Sequence, residues 1–131
     1  MPPLDETRAW LHKARNDLRS AQILVSHDEP VFDTAAFHCQ QAAEKALKAF
    51  LTSESIHFEK VHSLTYLLEL CEALEAEFGT LRNAAAELAP FAVEIRYPGD
   101  LTELSAEEAQ GALSGAEAIY EKVLFFLQTE L

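Results

Sequence analysis

At 131 residues and 14.6 kDa, with 49% apolar and 24% charged residues, the chain has the size and composition of one folded domain, which excludes a disordered, fibrous or disulfide-scaffold protein. Twenty-two Asp and Glu against ten Lys and Arg give a formal net charge of −12, which opposes non-specific attraction to a polyphosphate backbone and confines any nucleic-acid contact to a local patch. The longest apolar run, Val123 to Leu127, has five residues where a membrane helix needs about 20, and the first residues lack the basic and apolar segments of a secretory signal, so a cytoplasmic protein without a membrane span is expected.

Polar–apolar alternation is absent over any useful length, whereas spacings of three and four recur throughout, so the fold class expected is all-α, an antiparallel up-and-down bundle of about five helices in a single domain, 1–131. The first helix runs from about Asp5 to His27 on the stripe Leu11, Ala14, Leu18, Ala21 and Val25, with Arg8, Lys13, Arg15 and Arg19 on other faces. The second begins near Asp33, a candidate N-cap, and continues to about Ser53. Its apolar positions cover more than half the circumference, which marks it as the central helix.

A third helix starts at the cap Ser63, carries Leu64, Leu67, Leu68, Cys71 and Leu74, and is expected to stop at Gly79. The fourth is expected over Thr80 to Ile95, kinked at Pro90, and the last opens at Ser105 on the capping-box pattern Ser-Ala-Glu-Glu. Cys39 and Cys71 fall on apolar stripes and read as small buried thiols. Basic residues concentrate early: residues 1–60 hold seven basic and nine acidic side chains, residues 61–131 three and thirteen.

Three stretches could carry chemistry. On the polar arc of the second helix, His38, Gln41, Lys45 and Lys48 stand beside Phe37, either as an anion or partner site or as a solvated face whose lysines pair with Glu44 or other carboxylates. His62 precedes a helix start, where backbone donors and an imidazole converge on a phosphate-sized anion unless the ring merely satisfies the cap. Arg96 and Tyr97, before Pro98, offer a planar donor fork and a phenol, or alternatively a C-terminal cap for the fourth helix. No spacing suits a metal, and no glycine-rich phosphate loop or nucleophile elbow occurs, so neither a cofactor nor a catalytic residue is assigned. Gly111, Gly115 and Ala118 form a low-profile strip on the last helix, and with Phe37 and Phe125 outside the main stripes they point to a homodimer.

The run Ala35-Ala36-Phe37-His38-Cys39-Gln40-Gln41-Ala42-Ala43-Glu44-Lys45-Ala46-Leu47-Lys48-Ala49, followed by Val61-His62-Ser63-Leu64 and then Arg96-Tyr97-Pro98, resembles the HEPN family (higher eukaryotes and prokaryotes nucleotide-binding), its Arg-Tyr-Pro subgroup. The resemblance extends from about Leu4 to Leu127. It implies a dimeric helical bundle that binds nucleotides or RNA, or partners a minimal nucleotidyltransferase in a toxin–antitoxin-like pair. Residue by residue it marks Gln41, Lys45, His62, Arg96 and Tyr97 as a nucleotide- or phosphate-binding set. Ribonucleases of the family use an arginine and a histidine separated by four to six residues. Here Arg96 is followed by Tyr-Pro-Gly-Asp-Leu-Thr-Glu, Arg8 and His12 are separated by three residues and Arg19 and His27 by seven, so a binding or partner module is expected rather than an enzyme. Metal-independent RNA cleavage by Arg96 with a distant His62, or a purely structural bundle, are the alternatives.

Overall fold

The three-and-four spacing of the first stripe becomes the buried side of α1 (Pro2–Ser26), where Leu11, Ala14, Leu18 and Ala21 enter the core. The computed structural model describes residues 2–93 and 104–128, so Arg96 and Tyr97 lie outside the described residues. A turn over residues 27–31 leads into α2 (Phe32–Ser53), which packs against α1, α3 and α5. Six alanines of α2 between Ala35 and Ala49 are buried, and their low profile lets the neighbouring helices approach on several sides at once.

The N-cap position of α2 is Val31, not Asp33. Asp33 sits inside the first turn, where its charge still suits the helix dipole, and its carboxylate accepts a hydrogen bond from the Leu104 amide at 3.1 Å. It therefore ties the start of α2 to the chain entering the last helix. At the other end, the Ile56 amide donates to the Leu51 carbonyl and the Ser55 amide to the Thr52 carbonyl, with Ser55 at φ 56°. That is a Schellman stop in which serine holds the left-handed position glycine normally takes.

Helix α3 (Leu64–Leu74) opens on Ser63, whose hydroxyl oxygen accepts from the Tyr66 amide at 3.2 Å. Leu64, Leu67, Leu68 and Cys71 are buried, but Leu74 is largely exposed and the helix ends at Glu75, short of Gly79. The chain tightens there into a 3₁₀ helix (Ala76–Leu81) that drives Phe78 into the core, 4.9 Å from the Phe50 ring centroid and 5.3 Å from Phe126. A Cβ at Gly79 would stand 3.2 Å from the Glu72 carboxylate, which would have to shift by a few tenths of an ångström. The expected continuous fourth helix is thus divided into this turn, α4 (Arg82–Leu88) and a second 3₁₀ turn (Ala89–Ala92) that takes Pro90 near its start, where a missing N–H costs nothing.

Helix α5 (Ala106–Leu127) has both halves of the capping box: the Glu108 amide donates to Ser105 Oγ and the Ser105 amide donates to Glu108 Oε1, each at 3.0 Å. These Ser105 donors hold the Glu108 carboxyl below its usual range. A Cβ at Gly115 would lie 3.4 Å from Ala84 Cβ, whereas one at Gly111 would meet nothing within 4 Å. Gly115 therefore faces α4 at ordinary contact distance, while Gly111 and the exposed Ala118 stay open. Five α-helices result, with no strand among the described residues.

Candidate functional site

Burying an ion is tolerable only beside a counter-charge and hydrogen-bond partners, and α2 contains such a group in Glu44, whose residue exposure is 2%. Lys48 Nζ donates to Glu44 Oε2 at 2.9 Å from one turn further along α2, Gln40 Nε2 donates to Oε1 at 3.2 Å from one turn before, and His62 Nδ1 reaches the same carboxylate at 3.0 Å. Gln40 also donates to the His62 carbonyl at 3.2 Å, which fixes the loop ahead of α3, and Gln41 Nε2 donates to Gln40 Oε1 at 2.7 Å. The Lys48 ammonium lies 5.3 Å from the Trp10 ring centroid and 5.8 Å from that of Phe58, so aromatic faces complete its shell.

Asp17 on α1 is the second anchor, nearly buried among the core positions Ala14, Leu18 and Ala21. Lys45 Nζ donates to its Oδ2 at 2.6 Å, and His38 Nδ1 stands 2.7 Å from its Oδ1. An ionised carboxylate only accepts, so Nδ1 carries the hydrogen in both histidines and Nε2 is the acceptor of the neutral ring. His62 is 71% exposed at its side chain, and Nε2 makes no hydrogen bond among the described residues.

Three of the expected site residues thus fall in two separate networks of a polar band along α2: Gln41 and His62 in that of Glu44, and Lys45 in that of Asp17. Arg96 and Tyr97 lie outside the described residues. The band has a different centre from the one expected: the anion gathered by Lys48 and His62 is the protein's own Glu44, and the one held by Lys45 is Asp17. Pairing of lysine with Glu44, one of the two readings of the polar arc, holds for Lys48. Sequence reasoning named Glu44 only as a partner for lysine and missed Asp17 and Gln40 as members. A signal existed for Gln40, because Gln40, Glu44 and Lys48 recur every fourth residue on a helix that is apolar over more than half its circumference.

Cys39 and Cys71 are buried thiols pushed up to about 12, by desolvation above all, with the Glu117 charge adding at Cys39. Among the described residues no three His, Cys, Asp or Glu side chains stand together as a metal site, and no helix is long and apolar enough to cross a membrane.

The HEPN domain family matches residues 7–126, and the chain belongs to that family. A protein of Thermus thermophilus, TT1696, is 31% identical in its crystal structure, with a TM-score of 0.71 over 89% of this chain and 94% of that one. The crystal structure of ST0689, an archaeal HEPN homologue, gives a TM-score of 0.70 at 25% identity, over 89% and 93%. Among curated proteins, the toxin candidate MJ1304 of Methanocaldococcus jannaschii is 24% identical over 135 residues, 92% of this chain and 88% of that protein.

Proposed function

We propose that this chain is the HEPN member of a toxin–antitoxin-like pair and works as a non-catalytic module that binds a nucleotide and meets a minimal nucleotidyltransferase. Family membership and the resemblance to a toxin candidate support the setting. The observation that carries the non-catalytic part is the self-neutralised band: Lys45, Lys48 and His38 are each held by Asp17 or Glu44, leaving no uncommitted cation there to stabilise charge developing on a phosphate. The resemblance places the ligand on Gln41, Lys45, His62, Arg96 and Tyr97, but Lys45 is spent on Asp17 and His62 Nδ1 on Glu44, so the reading proposed here takes the nucleotide as ligand without taking that set as its site. In it the module is a homodimer, for which Phe125, 58% exposed, supplies apolar contact area.

One observation favours a second reading. The Glu44 carboxylate orients His62 through Nδ1 while the ring is open to solvent, which is how a general base is held, and a ribonuclease using His62 with Arg96 would need that arrangement. Incubating the full chain with total RNA in chelator separates the two. The binding module leaves RNA intact, whereas cleavage abolished by both His62→Ala and Arg96→Ala would replace it with the nuclease. Co-expression with the neighbouring reading frame tests the partner, because a nucleotidyltransferase that fails to co-purify refutes that half. Light scattering tests assembly, and a mass of 14.6 kDa at high concentration refutes the dimer.

A further inference from the structure

The polar band leaves the charge of α1 unexplained. Arg8, His12, Arg15 and Arg19 follow one another at spacings of four, three and four, which places them on one face of the helix, and all four are exposed. In a chain with twenty-two acids and ten bases, cations should find carboxylates readily, as Lys45, Lys48, Arg82 and Lys122 do. Arg15 and Arg19 form no ion pair among the described residues. Asp17, which lies between them in sequence, is committed to His38 and Lys45.

Both arginines border a cleft of about 510 Å³ between α1 and α5, together with Leu18, Gln22 and Tyr120. This volume is in the range of small-ligand sites. Tyr120 is half-buried, and its hydroxyl makes no hydrogen bond among the described residues. Burial raises its pKa against the lowering effect of the nearby Arg15 charge, so the phenol stays a neutral donor. Gln22 spends its amide nitrogen on Glu117 Oε2 at 3.2 Å, and that contact also occupies an acid beside the cleft.

We infer that this cleft binds a nucleotide, with its phosphate between Arg15 and Arg19 and its base against Tyr120. The inference rests on the nucleotide-binding reading above and moves the ligand from the self-paired band to the cations left unpaired. Four residues, about 6 Å of rise along α1, separate the two backbone positions, and each guanidinium fork can take two phosphate oxygens. The aromatic face of Tyr120 accepts any base by stacking. The net charge of −12 repels anions at long range, but at about 0.1 M salt that field is screened beyond about 10 Å, leaving the local arginines to decide.

Calorimetric titration of the full chain with ATP, adenosine and inorganic phosphate tests the inference. ATP is expected to bind at least tenfold more tightly than either fragment, and Arg15→Ala and Arg19→Ala are each expected to weaken it at least tenfold. Tyr120→Ala should weaken ATP but not phosphate, while Arg82→Ala, which removes a cation from another face, should change nothing. The replaced arginines are exposed and unpaired, so circular dichroism should report an unchanged fold. If ATP binds undiminished to the Arg15→Ala/Arg19→Ala double variant but is lost with Lys45→Ala or His62→Ala, the cleft is refuted while nucleotide binding survives. Phosphate binding as tightly as ATP and indifferent to Tyr120→Ala would likewise refute it. Absence of ATP binding to the unaltered chain would refute both this inference and the nucleotide-binding reading beneath it.

Discussion

Replacing Glu44 by alanine should be among the most damaging single changes available in this protein. The substitution removes the carboxylate that receives Lys48 at 2.9 Å, and Lys48 has only 9% of its side chain exposed, so an ammonium would remain nearly buried without a counter-ion. Breaking a buried pair from one side costs about 3–5 kcal/mol. The Trp10 and Phe58 faces, at 5.3 and 5.8 Å, face the ammonium in parent and variant alike, so they offset none of that loss. The hydrogen bond from His62 is also lost, but at 71% side-chain exposure water replaces it. A loss of about 3–5 kcal/mol is therefore expected, and at roughly 3–5 °C per kcal/mol for a chain of this size the Tm should fall by about 10–25 °C. The companion variant Glu44→Ala/Lys48→Met removes both charges and leaves an apolar side chain against the two aromatic rings. Its stability should recover to within about 1 kcal/mol of the parent, since an apolar replacement of a buried pair is commonly neutral. Urea unfolding followed by circular dichroism reads both variants. A single variant within 1 kcal/mol of the parent, or a double variant no better than the single, would refute the view of Lys48 as an ion dependent on Glu44.

Gly111→Ala should raise stability by up to about 1 kcal/mol in thermal melts, because its Cβ enters open space and the helix gains propensity, while Gly115→Leu should lower it by displacing α4 at Ala84. Ser55→Gly should stabilise by up to about 1 kcal/mol, since the left-handed φ of 56° strains serine and not glycine, and an unchanged or lower Tm would contradict that. The two thiols should resist alkylation in the native state at pH 8.5 and react fully in denaturant. Their pKa values lie near 12 when folded against 9.0 ordinarily, so the fold favours the neutral thiol. This contribution is fully present below about pH 9 and is lost as pH rises from there toward 12, and base titration of native stability should show that fall.

Much of the architecture could be read from local pattern. The stripe of α1, the all-round burial of α2 and the caps at Ser63 and Ser105 depend on residues within a turn or two of each other, so spacing alone sets them. The errors were local rules overruled by distant contacts. Asp33 has a capping side chain but gives it to Leu104, 71 residues away, and Gly79 resembles a helix stop but lies inside a 3₁₀ turn that follows the helix end and turns Phe78 inward. Ser55 ends α2 without the glycine that would have announced it.

The candidate site divides along the same line. Sequence alone determined that Gln41 and Lys45 share a face, that Glu44 and Lys48 stand one turn apart, and that a histidine precedes α3. Only the tertiary structure decided that Asp17 meets Lys45 across 28 residues and that Glu44 meets His62 across 18, leaving Arg15 and Arg19 unpaired beside Tyr120. A charge is a property of the residue, but its neutralisation depends on which opposite charge the packed helices bring within about 3 Å, and in an acidic chain the spacing along one helix does not say which cations remain free.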